Sequence, residues 1–385
     1  MSKTVKWIIA IIVIVLIVVG VWYFAKSDNS PAVSPIASST EPIKIGAILP
    51  LTGTNARYGE MEKNGLEMAL AEINNKDGIN GKKLEISYED SAGQAKQAVD
   101  AWTKMIMDKG INLIIAGMSG PCQVLSPRAN QNHIVLMSSD CAVASYSSPD
   151  DYTFRINSSN KREAEQMAQL LISRNVKSVS ILKVNNDYAK GLFDFFSPAY
   201  SQLGGKINIT ESYQPDQRDF RSELDKITYS KPQALFLMSY APDAEAILRQ
   251  IKELKISLPL YAGEPIENSA FLKNMGSNAD GIIYLKATLS ASVGQLFQLA
   301  YEKKFGNKPE VNPARAYDAL NIISQVINSC DKAGTPNADC LKNGLYTIKN
   351  YVGTTGNITF DKNGDADIPY VAKTIKNGQF VPLNP

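Results

Sequence analysis

Strand-like and helix-like segments alternate along most of the chain, and this alternation restricts the possible folds more than any other feature. The segment IKIGAIL (43–49) is apolar throughout, which is typical of a buried strand. A helix is predicted in 60–75, where four apolar residues share one helical face: Leu66, Ala69, Leu70 and Ile73. Strands separated by single helices predict right-handed βαβ units and parallel sheets.

A second series of alternating segments begins after about residue 157. Its predicted strands are KSVSILKV, KINITESY, QALFLMS, LPLYAG and GIIYLK. The chain has 385 residues, which is more than one hydrophobic core usually holds. We therefore expect an α/β protein with two lobes, each built on a doubly wound parallel sheet.

The charge balance excludes one broad class of function. The formal net charge is +2, with 40 basic and 38 acidic residues. A protein that binds a phosphate backbone needs a basic excess, which this chain lacks. We expect no nucleic-acid partner.

The first 25 residues are predicted to form one N-terminal transmembrane helix that anchors the protein. Trp7–Ala25 is a run of 19 uncharged residues, about long enough to cross a hydrocarbon core of ~30 Å. A cleaved signal peptide is the alternative, but the exit VWYFAK has bulky residues where a small-x-small site is needed. Both interpretations export the rest of the chain. Residues 26–41 are rich in Ser, Pro and Ala and are expected to be a flexible linker.

The four cysteines suggest disulfides, since the chain is expected to be exported and the count is even. We expect Cys330–Cys340, which would close a small loop, and regard Cys122–Cys141 as the second candidate pair. Four cysteines allow three connectivities, and the sequence does not choose among them. With one histidine and no CxxC pair, no metal site is expected.

The loops that follow the predicted strands are the candidates for a binding site. In open α/β sheets, ligands bind at the carboxyl ends of the strands. Six such loops carry a polar or aromatic side chain: Tyr58, Ser119, Asp140, Tyr188, Tyr240 and Glu264. Tyrosines at equivalent strand ends favour a ligand cleft, because each offers an apolar face and a polar tip.

Several long motifs resemble one family. The opening IKIGAILPLTGTNARYGEMEKNGLEMALAEIN, followed by GINGKKLEISYEDSAGQAKQAV, is similar to the start of the leucine/isoleucine/valine-binding proteins. These are the solute receptors of branched-chain amino-acid ABC transporters. The later segments NDYAKGL, YQPDQRDFRSEL, YAGEPI and ARAYDAL resemble that family's landmarks in the expected order, and the similarity extends over about residues 42–380.

The resemblance implies a type I periplasmic-binding-protein fold, in which two lobes close on a ligand by hinge motion. A three-segment hinge would cross between the lobes near residues 157, 287 and 365. Lobe 1 is then 42–156 plus 287–365, and lobe 2 is 157–286 plus 366–385.

The resemblance also implies roles for the candidate residues. Tyr58, Tyr188 and Tyr240 match aromatic positions around the ligand. Ser119 or Gly120 matches the place where a hydroxyl and a backbone N–H hold the ligand's carboxylate near a helix start. Ala142 and the backbone near Asp140 match the loop that completes this carboxylate site. Glu264 matches the acid that pairs with the ligand's ammonium group. The ligand-binding residues expected are Tyr58, Ser119, Gly120, Asp140, Ala142, Tyr188, Tyr240 and Glu264.

Two residues depart from the family pattern. The family commonly has threonine where Ala142 stands, so one hydroxyl is missing. Asp140 is an acid close to the expected carboxylate site. We expect Asp140 to point out of the cleft, and in that case, or if it caps the following turn, an amino-acid ligand is still expected. If it points inward it repels an α-carboxylate, and the ligand would be an amide, a polyamine or a cationic amino acid.

The resemblance implies a receptor that delivers an amino acid, or a related small amine or amide, to an ABC permease at the outer face of a membrane. No enzyme activity is expected, since the strand ends offer no nucleophile–base pair, and no cofactor is expected. The partners expected are the small ligand and the permease subunits, with the receptor itself a monomer. The alternative is a ligand-sensing ectodomain for amides or amino acids on the same fold.

Overall fold

The computed structural model describes Trp7, Ile12 and residues 14–19, 21–22, 41–107, 111–330, 337–366 and 368–383. The chain divides into two units, Met1–Thr40 and Glu41–Pro385. The described residues of the first unit are helical and exposed. No helix among the described residues has the length and apolar character needed to span a bilayer. Most of the predicted anchor (1–25), and the predicted linker up to residue 40, lie outside the described residues.

The first half of the second unit forms a five-stranded parallel sheet in the order β2-β1-β3-β4-β5. Both β3 and β4 are buried along their whole length, because helices cover the two faces of a parallel sheet. The strands are β1 (Ile43–Leu49), β2 (Leu84–Asp90), β3 (Leu113–Ala116), β4 (Val135–Ser138) and β5 (Thr153–Arg155). The connecting helices are α1 (Ala56–Asn75), α2 (Ala95–Ile106) and α3 (Ser119–Asn132).

The second series of segments forms another sheet. Five parallel strands and four helices lead into it: β6 (Ser178–Val184), β7 (Lys206–Tyr213), β8 (Ala234–Met238), β9 (Leu260–Ala262) and β10 (Ile283–Lys286), with α4 (Asn160–Ser173), α5 (Asp187–Gln202), α6 (Arg221–Tyr229) and α7 (Ala241–Glu253). The chain continues through α8 (Ser269–Met275), α9 (Val293–Phe305), α10 (Val311–Cys330), α11 (Ala338–Tyr346) and the small hairpin of β11 (Tyr351–Gly353) and β12 (Gly356–Ile358).

The chain then returns to the second sheet with two antiparallel strands, β13 (Val371–Lys376) and β14 (Gln379–Pro382). Asn377 and Gly378 join them with φ values of 52° and 65°, as a two-residue Asn-Gly turn requires. The full order is β14-β13-β10-β9-β8-β6-β7. The predicted α/β class with two largely parallel, doubly wound sheets is therefore confirmed. The lobe boundaries at 157, 287 and 365 stay predictions.

Each sheet has a switch point, where the strand order reverses. It lies between β1 and β3 in the first sheet and between β6 and β8 in the second. Loops on opposite sides of a switch point diverge and leave a crevice, which is the usual ligand site of such sheets. The fold thus places the crevice where the candidate loops lie.

Of the two predicted disulfides, one is present and the other is not. A disulfide joins Cys330, at the end of α10, to Cys340 in α11, with 5.8 Å between the Cα atoms. The predicted Cys122–Cys141 pair is wrong, since both are free thiols buried in the first sheet's core. The Cys122 thiol instead donates to the hydroxyl oxygen of Ser138 at 3.4 Å, and it also contacts the Ala116 carbonyl oxygen at 3.7 Å.

Candidate functional site

A small cavity lies where the loops after the two sheets' strands meet. Its volume is about 30 Å³, and it borders an outer chamber of about 530 Å³. Met118, Tyr188 and Tyr240 line both spaces and separate them. We call the smaller space the inner cavity. It is lined by Tyr58, Met118, Ser119, Asp140, Ala142, Tyr188, Tyr240, Glu264, Pro265, Lys286, Asn312 and Arg315.

Three tyrosines form the aromatic wall of the inner cavity. The ring centroid of Tyr240 lies 5.6 Å from that of Tyr58 and 5.5 Å from that of Tyr188. The Tyr58 hydroxyl donates to the carbonyl oxygen of Pro265 at 3.0 Å and accepts from the backbone N–H of Ala241 at 3.4 Å. Because Tyr58 belongs to α1 and both partners follow strands of the second sheet, this residue ties the two halves of the cleft together.

Asp140 lies at the start of α3, not outside the cleft. One of its carboxylate oxygens accepts from the backbone N–H of Met118 at 2.6 Å, and the other lies 3.5 Å from the side-chain nitrogen of Asn312. The expectation that Asp140 points outward is therefore wrong. A helix N-terminus attracts negative charge, and here the protein supplies its own carboxylate. Burial raises the pKa of Asp140, and the Met118 N–H and the charge of Arg315 oppose this rise.

Glu264 follows β9 and lines the same cavity, where it lies beside two buried cations. Its Oε1 atom is 2.8 Å from Arg315 Nη2 and 3.2 Å from Lys286 Nζ. Its Oε2 atom accepts from the hydroxyl of Tyr370 at 3.0 Å. Burial alone would raise the pKa of Glu264, but Arg315 and Lys286 lower it to about 2. This carboxylate is therefore ionised at neutral pH.

A second carboxyl group, Glu163 of α4, lies directly behind Glu264. Its Oε1 atom accepts from the backbone N–H of Glu264 at 2.7 Å, and the Tyr188 hydroxyl lies 3.3 Å from the same atom. Burial, and then the charge of Glu264, raise the pKa of Glu163 to about 8. Glu163 is thus mostly protonated at neutral pH and adds little charge to the site.

The structure brings together almost all of the residues predicted from the sequence. Of the eight, seven line the inner cavity, and Gly120 lines the outer chamber. Ser119 and Ala142 contact each other, because the Ala142 N–H donates to the Ser119 hydroxyl at 3.2 Å. The ligand contacts assigned to these residues stay predictions.

Two cations of the inner cavity, Lys286 and Arg315, were not predicted from the sequence. Lys286 ends strand β10, so the strand-end rule that selected the other residues could have found it. Arg315 lies inside α10, where Ala314, Ala316 and Ala319 surround it in the sequence and are buried. A lone cation on an otherwise buried helical face is the signal that could have indicated it.

The chain is similar in sequence to a known family of binding proteins. Residues 42–379 match the sequence model of the periplasmic binding protein family. The Leu/Ile/Val-binding protein BraC3 of Rhizobium johnstonii is 27% identical, over 87% of this chain and 91% of that protein.

Two solved structures have the same fold. The branched-chain amino acid transporter substrate-binding protein LivJ of Streptococcus pneumoniae, in complex with isoleucine, has a TM-score of 0.81 and 23% identity, covering 88% of this chain and 98% of that one. A solute-binding protein of R. palustris, in complex with benzoate, has a TM-score of 0.81 and 16% identity, covering 89% and 96%. At these identities the likeness shows the fold alone, and the two ligands differ in charge.

Proposed function

The chain belongs to the periplasmic binding protein family, and we propose that it is the extracytoplasmic receptor of an ABC transporter that takes up an amino acid. Family membership makes it a solute-binding protein and not an enzyme. The ligand class we propose is a branched-chain amino acid or a related small amine or amide. The Leu/Ile/Val-binding relative at 27% identity supports this class.

The observation that carries the proposal is the pairing of both signs of charge with an aromatic wall in one enclosed cavity. Asp140 lines the cavity from the loop after β4, and Glu264, paired with Lys286 and Arg315, lines it from the loop after β9. An amino acid presents an ammonium and a carboxylate, and each needs an opposite charge when it leaves water. We propose that Tyr58, Ser119, Asp140, Ala142, Tyr188, Tyr240 and Glu264 contact the ligand, with Gly120 lining the outer chamber.

Ligand binding can be tested by thermal denaturation of residues 41–385, which form a unit of their own. The panel should contain leucine, isoleucine, valine, their amides, a polyamine and benzoate. A ligand at about 100 times its Kd stabilises the folded state by about 2.7 kcal/mol, which raises the Tm of a protein of this size by several degrees. We expect such a shift with at least one amino acid. A panel without any shift from an amino acid would refute the proposed function.

We also propose that residues 1–25 keep the receptor at the membrane, where the closed form of residues 41–385 meets the permease subunits. The uncharged run Trp7–Ala25 supports this proposal. The full chain should sediment with membranes and require detergent for release, whereas a chain without residues 1–25 but with a cleavable export signal should be released in soluble form. A full chain found wholly in the soluble fraction would refute the anchor and favour a cleaved signal.

A further inference from the structure

The start of α3 already holds an anion that belongs to the protein. The Met118 N–H donates to Asp140 at 2.6 Å, and the Ser119 hydroxyl accepts from the Ala142 N–H at 3.2 Å. A ligand carboxylate placed here would lie next to the Asp140 carboxylate. Two like charges at such close range repel each other, and burial away from water strengthens this repulsion. The position is therefore better suited to a cation.

The group of Glu264, Lys286 and Arg315 in the inner cavity carries an excess of positive charge. Lys286 and Arg315 share the single charge of Glu264, and their side chains are 3% and 1% exposed. The Nε atom of Arg315 is buried and has no hydrogen-bond partner among the residues that the structure describes. A buried guanidinium with an unused donor needs an acceptor, and a carboxylate is the acceptor it binds best.

With Asp140 in its ionised form, the charges of the cavity wall sum to zero. Asp140 contributes one negative charge, and the group of Glu264, Lys286 and Arg315 contributes one net positive charge. Glu163 behind this group is mostly protonated at neutral pH, since its pKa is raised to about 8. A ligand with no net charge but two charged ends matches this arrangement. A polyamine or a simple carboxylate would leave one end of the cavity unmatched.

We propose that the inner cavity binds a zwitterionic amino acid with its ammonium group on Asp140 and its carboxylate on Arg315 and Lys286. This inference rests on the proposed function and reverses the polarity that the family resemblance implies. Tyr58 and Tyr240 line the same cavity, and aromatic rings favour an ammonium group placed over their faces. Asn312 holds the Asp140 carboxylate in place through its side-chain nitrogen at 3.5 Å.

The size of the inner cavity adds a condition for binding. A volume of about 30 Å³ holds one or two waters and is too small for an amino acid. The ligand therefore has to enter while the Tyr58 hydroxyl is released from Pro265 and Ala241. The ligand's side chain then has to displace the three tyrosines toward the outer chamber of about 530 Å³.

The polarity is tested by the isosteric variant Asp140→Asn and two probes measured by calorimetry on residues 41–385. The probes are leucine and 4-methylpentanoate, which lacks only the ammonium group. If another amino acid of the panel binds more tightly, it and its own deaminated acid replace them. We expect Asp140→Asn to weaken leucine at least tenfold and to leave 4-methylpentanoate unchanged or bound more tightly. The matched control is Asp194→Asn, because Asp194 is a half-exposed acid on α5 that pairs with Lys190 at 2.6 Å.

The opposite end is tested with Lys286→Met and Arg315→Lys, using leucine and leucinamide. The reversed polarity predicts that Lys286→Met weakens the binding of leucine more than that of leucinamide, in which the carboxylate is replaced by a neutral amide. It also predicts that Arg315→Lys keeps part of the affinity for leucine. The melting temperature of each variant without ligand shows whether it is folded.

Three results would overturn the inference. Tighter leucine binding by Asp140→Asn would place the ligand's carboxylate at α3, with repulsion relieved. Equal losses for leucine and 4-methylpentanoate would give Asp140 a structural role only. In both cases the wild-type protein still binds an amino acid, so the proposed function stands. Wild-type protein that binds no amino acid would overturn the proposed function, and the inference with it.

Discussion

One buried carboxyl group, Glu163, should make the receptor less stable as the pH rises through neutrality. Glu163 is fully buried on α4, behind the ligand site. Its neighbours include the Glu264 backbone N–H, the Tyr188 hydroxyl, and the charges of Glu264 and Lys286. Burial and the Glu264 charge together raise its pKa from 4.5 to about 8.

The sign and size of the effect follow from linkage. Between about pH 5 and pH 8 the folded protein keeps a proton on Glu163 that the unfolded chain has lost, given pKa values of about 8 and 4.5. The stabilisation is complete below the unfolded pKa and is lost as the pH rises through the folded one. Each pH unit in this window costs about 1.4 kcal/mol per proton, so the free energy of unfolding should fall by about 2.7 kcal/mol from about pH 5.5 to about pH 7.5.

The assay is urea unfolding of wild-type protein and Glu163→Gln at about pH 5.5, 6.5 and 7.5. Glutamine has the shape of a protonated glutamate and can still accept from the Glu264 N–H and donate to Tyr188. Subtracting the two profiles removes other titrating groups, such as Asp318, whose pKa burial raises to about 6. We expect Glu163→Gln to gain about 2.7 kcal/mol relative to wild type over this range.

The control is Glu165→Gln on the same helix, where the side chain is 50% exposed. Its difference from wild type should stay flat with pH. If the Glu163→Gln difference is flat as well, Glu163 is ionised at neutral pH. Lys286 and Arg315 would then neutralise two carboxylates instead of one, and the net-neutral charge sum of the inner cavity would be wrong.

Three further predictions concern the scaffold and are checked by urea or thermal denaturation. Replacing Cys330 and Cys340 with serine should cost about 3 kcal/mol, because the disulfide closes a loop with a sequence separation of 10 and restricts the unfolded chain. Gly65→Ala should cost about 1–3 kcal/mol, since its Cβ would lie 2.0 Å from a backbone carbonyl oxygen of α10 and would push α1 away. Arg155→Met should cost about 3–5 kcal/mol by leaving Asp365, now 2.6 Å from the guanidinium, without its partner, and adding Asp365→Asn should recover part of the loss. A loss below about 0.5 kcal/mol in any of the three would contradict the packing or pairing argued for it.

The fold could be predicted because its periodic signals are strong and local. The predicted strand 43–49 is β1, and the helix predicted in 60–75 is α1, which begins four residues earlier, at Ala56. Asn55, which precedes α1, is of a residue type that favours helix starts, although its side chain makes no capping hydrogen bond here. The helix α3 begins at Ser119, directly after Met118, whose φ of 67° no sequence pattern predicts.

Residues of the candidate site could be predicted where they lie in loops directly after strands, since the carboxyl ends of parallel strands meet at one edge of the sheet. Arg315 was not predicted because it lines the cavity from within a helix and not from a strand end. The orientation of the Asp140 side chain was predicted wrongly for a different reason. It depends on a backbone N–H donor, Met118, whose availability is set by the turn into α3 and not by residue type.

The charge layout of the cavity shows why the ligand cannot be assigned from single matching positions. Glu264 alone suggests an ammonium site, and Asp140 alone suggests repulsion of a carboxylate. Once Lys286 and Arg315 are present, Glu264 is already paired, and the side that looked negative has a net positive charge. The fold accommodates isoleucine in one structural neighbour and benzoate in another. Ligand charge in such a cleft is therefore decided by the sum over all buried groups, including those contributed by helix interiors, and here that sum favours a zwitterion.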